Sequence, residues 1–327
     1  MKKEYLTGIL FALLFAIPAH FLGESFPLIG GPVFGILLGM VFARVPRPEG
    51  LNSGITFTGK KILQYSIILL GFEMNLFHVL DVGSQSVYVM VFTLLTAFAV
   101  AIILGRALKL PEHTTTLIGA GTAICGGSAI AAVAPVIGAK DKDIAFSIST
   151  IFLFNILAVF IFPFLGHLIN MSDFGFGMWA GTAINDTSSV VAAGYSFSQE
   201  AGAYATIVKL TRALMIVPVC LFFAVLTAKK NHAEGQRFDL KRIFPFFILW
   251  FVVASVVNTS GVLPAELSHA LGSFGKFSIV WAMAAIGLNT NLFALIKNGM
   301  RPIFLGLCCW FAVAVVSLAI QHILGIL

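Results

Sequence analysis

Residues 85–107 read Gln85-Ser-Val-Tyr-Val-Met-Val-Phe-Thr-Leu-Leu-Thr-Ala-Phe-Ala-Val-Ala-Ile-Ile-Leu-Gly-Arg-Ala107, and Arg106 is their only charge. A helix needs about 20 mostly apolar residues to cross the hydrocarbon core of a bilayer, and this stretch meets that requirement. Ten further stretches resemble it: 5–22, 29–44, 60–76, 114–138, 144–167, 174–198, 202–228, 243–260, 268–296 and 302–325. Lys60 and Lys61 make the start of the third span in chain order its least apolar part. The connections are short, the longest (229–242) is polar and basic, and no soluble domain fits between them. The expected fold is therefore an all-α polytopic membrane protein of about eleven spans.

Composition agrees. The 327 residues carry 20 Lys+Arg and 14 Asp+Glu, 10% of the chain, where a soluble domain has about 25% charged residues. Hydrophobic residues make up 59%, 32 of them Phe, and mean hydropathy is +0.99. So few charges could not cover a water-soluble surface, which excludes an ordinary cytosolic enzyme, a nucleic-acid-binding protein and a disordered chain. The four cysteines (Cys125, Cys220, Cys308, Cys309) lie in apolar stretches without a CxxC and read as buried thiols. Lys2 and Lys3 precede the first apolar run as in a signal peptide. The alanines Ala12, Ala16 and Ala19 lack the Ala-x-Ala spacing of a cleavage site, so the segment reads as an uncleaved first span.

Cations follow a side preference in membrane proteins. With a cytoplasmic N-terminus and an external C-terminus, eleven spans place 15 of the 20 Lys and Arg inside, including Arg47, Arg106, Lys109 and Arg301. Only Lys140, Lys142 and Lys276 fall outside, and Lys209 and Arg212 stay within spans. Eleven divides as one plus five plus five: an extra span (1–28), a repeat (29–170) and a second repeat (171–327). Two units with an odd number of spans are inverted, a recurrent transporter design. In this register Lys61-Ile-Leu-Gln64 matches Lys209-Leu-Thr-Arg212, and the Gly-rich Ala123-Ile-Cys-Gly-Gly-Ser128 matches Ala285-Ile-Gly-Leu-Asn-Thr-Asn291. Helix breaks are expected near Gly126–Ser128 and Gly287–Asn291, meeting at mid-membrane. A competing match of Leu70-Gly71 and Asn75-Leu-Phe77 with Gly287-Leu288 and Asn291-Leu-Phe293 breaks that register.

Glycine is a poor helix former, and an unwound point in a membrane must face protein or a water-filled cavity. The N-terminus of a half-helix then attracts anions. Small residues packing helices together would be the structural alternative. In the seventh span, Thr182, Asn185, Asp186 and Ser189 follow i, i+3, i+4, i+7 and share a face. A charge at mid-span costs about 2.5–3.5 kcal/mol on insertion scales and is functional by default. Lys209 and Arg212, three residues apart, could pair with Asp186 or face an oxyanion. Glu73 sits at a span end, and the seven histidines lie in loops or near span ends. No HExxH, GxSxG or CxxC points to a cofactor, a metal or an enzyme, and Cys125 and Asp186 lack the catalytic partner that an intramembrane enzyme needs.

Three strings, Gly121-Thr-Ala-Ile-Cys-Gly-Gly-Ser-Ala-Ile130, Gly181-Thr-Ala-Ile-Asn-Asp-Thr-Ser-Ser189 and Lys209-Leu-Thr-Arg212, resemble the YeiH-type sulfate exporter family of bacterial inner membranes, and the resemblance covers nearly the whole chain. That family is grouped with the cation:proton antiporters and anion transporters. The resemblance implies inverted five-span repeats, two crossing discontinuous helices, core and panel subdomains, and a homodimer. The expectation is a secondary transporter of a small, sulfate-like anion coupled to H⁺ or Na⁺. Thr122, Gly126, Gly127 and Ser128 would supply donors from one break, and Asn289, Thr290 and Asn291 from the other. Asp186 would handle the coupling proton, and Lys209 or Arg212 would balance charge. The alternative is a Na⁺/H⁺ antiporter in which Lys209 exchanges with a cation at Asp186.

Overall fold

The computed structural model describes residues 3–26, 30–43, 45–231, 246–290 and 300–326. Every regular element among them is helical: α1 (Lys3–Ser25), α2 (Gly31–Phe42), α3 (Gly50–Phe57), a π-helical turn (Thr58–Ile62) leading into α4 (Leu63–Gly71), α5 (Leu76–Ala107), α6 (Glu112–Ala123), α7 (Gly127–Ile137), α8 (Asp141–Leu168), α9 (Asp173–Ala183), α10 (Thr187–Phe197), α11 (Gln199–Leu214), α12 (Ile216–Asn231), α13 (Phe246–Thr259), α14 (Ala265–Leu288) and α15 (Met300–Ile323). Six of the described helical stretches are long and apolar enough to cross a membrane. Large apolar side chains on them point outward, such as Leu14, Ile103, Phe164 and Phe311, each about 65% exposed. Lys209 and Arg212 lie inside with no exposed surface. Apolar exterior and polar interior is the arrangement a bilayer imposes.

Two of the eleven expected spans do not cross. Residues 114–138 would measure about 36 Å as one straight helix. Thr114 Oγ1, however, donates to Asp143 Oδ1 at 2.6 Å, and the five residues from 138 to 143 reach at most about 18 Å. So α6 runs inward, turns at 124–126, and α7 returns to the end from which α6 started. Residues 173–198 repeat this from the opposite end. Ser198 Oγ donates to Asp173 Oδ1, and Phe176 stacks on Phe197 with ring centroids 4.0 Å apart, where a straight helix would separate 173 from 198 by about 37 Å. The 28-residue α8 joins the base of the first hairpin to the base of the second. Each hairpin arm has 11 or 12 residues, about 16–18 Å or half the ~30 Å hydrocarbon thickness, so the two tips meet near mid-depth.

Helix ends are specified locally. Asn75 accepts from Phe77 N at 2.9 Å to start α5, Ser172 Oγ caps α9 through Gly175 N at 3.0 Å, and Ser198 Oγ caps α11 through Ala201 N at 2.9 Å. The helices form two groups: α1, α2, α3–α4, α13 and α14 pack on one another, while α5, α8, α11, α12 and α15 surround the hairpins. The groups meet where α10 lies against α2 and α14 and where α13 lies against α5.

In the tenth expected span Gly287 and Leu288 are still helical, and α14 ends at Leu288 with Asn289 as its C-cap, within the 287–291 range expected to lose regular helix. Gly287 serves packing: a Cβ there would overlap Ile36 O and lie 2.9 Å from Gly39 Cα. It is the small-residue contact that lets two membrane helices approach closely. Asn291 lies outside the described residues, as does most of the basic 229–242 connection.

The first hairpin also moves Lys140 and Lys142. Read as outside in an eleven-span scheme, they stand at the end of the molecule that holds Arg106 and Arg301, for Leu110, Lys142 and Arg301 line one cavity. Arg47 Nη1 donates to Leu288 O at the end of α14, at 2.9 Å. Single cysteines replacing Arg106 and Lys142 are therefore expected to react with an impermeant maleimide from the same side of sealed vesicles, and one replacing Asn170 from the opposite side. Labelling of positions 106 and 142 from opposite sides would mean that α6 and α7 cross.

Candidate functional site

The two hairpins turn after the same four residues, Gly121-Thr-Ala-Ile124 and Gly181-Thr-Ala-Ile184. At Ile124 the backbone leaves the helix with φ −121°, ψ −92°, and Gly126 takes φ +66°, ψ −127°, a conformation open to glycine because it lacks a Cβ. The second turn uses no glycine. Ile184 and Asp186 are extended (ψ 135° and 141°), and Asp186 starts α10 as its N-cap. Its Oδ2 accepts from Ser188 N at 3.0 Å and from Ser188 Oγ.

Each turn leaves the last carbonyls of one half-helix without intrahelical donors, and α11 supplies them. Lys209 Nζ donates to Ile124 O at 2.7 Å and to Ile184 O at 3.1 Å, the same position in each hairpin. Arg212 Nε donates to Ala123 O at 2.9 Å, Nη1 to Ile184 O at 3.1 Å and Nη2 to Thr122 O. The i, i+3 spacing brings both cations to one face of α11, against the negative ends of two helix dipoles. Among the described residues no cation lies within salt-bridge distance of Asp186. Lys209 and Arg212 are thus carbonyl clamps rather than the carboxylate partners that the sequence left open.

The opposite ends, the N-termini of α7 and α10, lie together at the tips. A Cβ built on Gly126 would sit 3.7 Å from Asp186 Cα and 3.5 Å from Asn155 Nδ2. Asn155 Oδ1 accepts from Asp186 N at 3.1 Å, so one side chain of α8 touches both turns. Sequence reasoning missed Asn155. Its signal was a lone amide in the apolar run Ile151-Phe-Leu-Phe-Asn155, and polar residues at such depth are rare without a task. A Cβ on Gly127 would meet nothing within 4 Å, and Ser128 is exposed, so the start of α7 borders open space. Asn185 has no exposed surface, yet neither its Oδ1 nor its Nδ2 has a hydrogen-bond partner. Asp186 is half-buried.

The chain matches, over residues 7–306, the profile of a family described as conserved hypothetical protein 698. It belongs to that family. A UPF0324 membrane protein of Fusobacterium nucleatum is 47% identical over 98% of this chain and 99% of its own. One from Streptococcus pyogenes serotype M18 is 50% identical over 98% of each chain, and one from Streptococcus mutans is 48% identical over 100% and 99%. All three relatives are described as membrane proteins, in accord with the apolar exterior and the apolar helices found here.

The remaining expected site residues divide. Thr122 Oγ1 donates to Ile118 O at 2.8 Å within its own helix. Thr182 Oγ1 is 2.7 Å from Ser317 Oγ, tying α9 to α15. Ser189 is buried in the first turn of α10. Asn289 and Thr290 have other partners at the end of α14. Asn289 Oδ1 accepts from Arg47 Nη2 at 3.0 Å, and Thr290 Oγ1 donates to Ile286 O at 2.8 Å. The turn that meets Gly126 lies in the seventh expected span, at Ile184–Asp186. Glu73 pairs with Lys276 at 3.0 Å and with His269 at 3.2 Å.

Proposed function

We propose that the protein is a secondary transporter of a small oxyanion, working by alternating access with H⁺ or Na⁺ coupling. The observation that carries this reading is the meeting of two oppositely inserted hairpins, with the N-termini of α7 and α10 at the junction and a buried, unpartnered Asn185 in the second turn. The hairpins and the helices that follow them (α6–α8 and α9–α12) form an inverted repeat offset by 60 residues, as the Gly-Thr-Ala-Ile pair marks. Irregular backbone at this depth belongs where it lines a cavity. Free N–H groups at the start of α7, the Ser128 hydroxyl and the Asn185 amide would hold the anion. Lys209 and Arg212 do not touch it. If both are ionised with Asp186, they leave the site one net positive charge, felt strongly in a low-dielectric interior. The cation-rich end, with Arg106, Lys142 and Arg301, faces the cytoplasm in this reading.

The Na⁺/H⁺ reading needs Lys209 to exchange with a cation at Asp186, but its ammonium is already bonded to Ile124 O and Ile184 O. Proteoliposomes loaded with labelled sulfate, sulfite and small carboxylates under an imposed proton gradient separate the two. Anion flux above that of protein-free liposomes is expected. Na⁺ or H⁺ exchange without anion movement would replace this reading with the antiporter.

A further inference from the structure

Beside the first hairpin runs a long apolar groove of about 880 Å³ between α5, α6 and α12. Its walls include Leu95 and Phe98 of α5 and Phe222 and Leu226 of α12. Leu95 and Phe222 are 58% and 59% exposed, so the groove opens on the outer surface and not into the hairpin site. It extends from Met90 to Arg106, about 24 Å along α5, most of the ~30 Å hydrocarbon thickness. Charge appears at one end only, where Arg106 and Glu112 border the mouth. A second cavity of about 530 Å³ opens at the same end, with Leu110 shared between the two and with Lys142 and Arg301 in its wall. Asp143 in that wall already accepts from Thr114. Arg106, Lys142 and Arg301 against Glu112 and Asp143 leave one net positive charge around the mouth.

A long apolar trough ending in a cationic, polar cavity has the chemistry of an amphiphile with an anionic head. The cationic end favours a ligand with an anionic head over a wholly apolar partner helix. We propose that this groove binds an anionic glycerophospholipid, with an acyl chain between α5 and α12 and the phosphate at Arg106, whose planar fork suits phosphate oxygens. The bound chain would lie against the α11–α12 junction at Met215 and against Thr115 and Thr116 at the base of α6. It would thus brace the first hairpin from the bilayer side. The inference is independent of what the hairpin tips transport.

Thermal unfolding of the full chain, delipidated in detergent, tests it. Phosphatidylglycerol is expected to raise the midpoint by several degrees more than phosphatidylcholine with the same chains, and glycerol 3-phosphate is expected to leave it unchanged. Arg106→Gln, at an exposed position, should erase the difference between the two lipids. Leu95→Trp, which fills the groove from its open side, should reduce the response to both. Equal shifts from both lipids in the parent protein would overturn the proposal, as would an unchanged lipid preference in Arg106→Gln. A shift from glycerol 3-phosphate equal to that from phosphatidylglycerol would reduce the site to a phosphate site without a chain.

Discussion

Arg212→Met is expected to be the most destabilising single change at the hairpin tips, ahead of Lys209→Met, although both remove a charge from a membrane interior. The order follows from the carbonyls each side chain serves. Arg212 bonds Thr122 O, Ala123 O and Ile184 O; Lys209 bonds Ile124 O and Ile184 O. Loss of Arg212 leaves two carbonyls without this donor and one with Lys209 only. At about 1–3 kcal/mol per abandoned buried acceptor, the loss is about 2–6 kcal/mol, against about 1–3 kcal/mol for Lys209→Met. Ile184 O is shared, so the double variant should lose more than the two single losses combined, because only then does that carbonyl lose both donors. Thermal unfolding in detergent measures all three. A fully stable Arg212→Met protein would show that the guanidinium is not a structural clamp and would return it to the list of substrate ligands.

The membrane class and the broken helix at Gly126 were legible in the sequence because each rests on a local cause: long apolar runs in one case, a glycine-rich turn at mid-span in the other. The second break was not read as one. Its turn contains no glycine, and Thr182, Asn185, Asp186 and Ser189 fit a helical face so well that the span read as continuous. Direction was the deeper difficulty. A 25-residue apolar stretch with a central break can cross the bilayer or return, and its hydropathy is the same either way. What distinguishes them is a contact between the ends, Asp173 with Ser198 or Thr114 with Asp143, and a pair of polar residues 25 or 29 positions apart carries no periodicity to notice. One further signal is present in the sequence: Gly121-Thr-Ala-Ile124 recurs as Gly181-Thr-Ala-Ile184, whereas the five-plus-five register rests on Ala123–Ser128 and Ala285–Asn291. Cation placement offered a second. Lys140 and Lys142 were exceptions to the charge asymmetry until the hairpin returned them to the cationic end.

Asp186→Asn is expected to leave the fold almost intact and to remove the dependence of transport on a proton gradient. Asp186 has two jobs that this change separates. As N-cap of α10 it accepts from Ser188 N, and Asn caps about as well as Asp, so the stability change should stay within about 1 kcal/mol. As a half-buried carboxylate with no cation paired to it among the described residues, it puts a negative charge beside the N-termini that would hold the anion. Protonation removes that charge. In the parent protein anion affinity should therefore be higher with Asp186 protonated than with it ionised, and an inward proton gradient should drive uptake with it. Asn cannot titrate. The variant should bind the anion with little pH dependence and exchange it down its own gradient, while accumulation driven by a pH difference falls to the level of protein-free liposomes. Asp186→Ala is the control for the capping role: it should lose the same coupling and in addition about 0.5–2 kcal/mol of stability. Binding measured at two pH values, with flux measured with and without the gradient, reads each job separately. If Asp186→Asn keeps proton-driven accumulation, Asp186 is only the cap of α10, and the coupling group must be sought elsewhere.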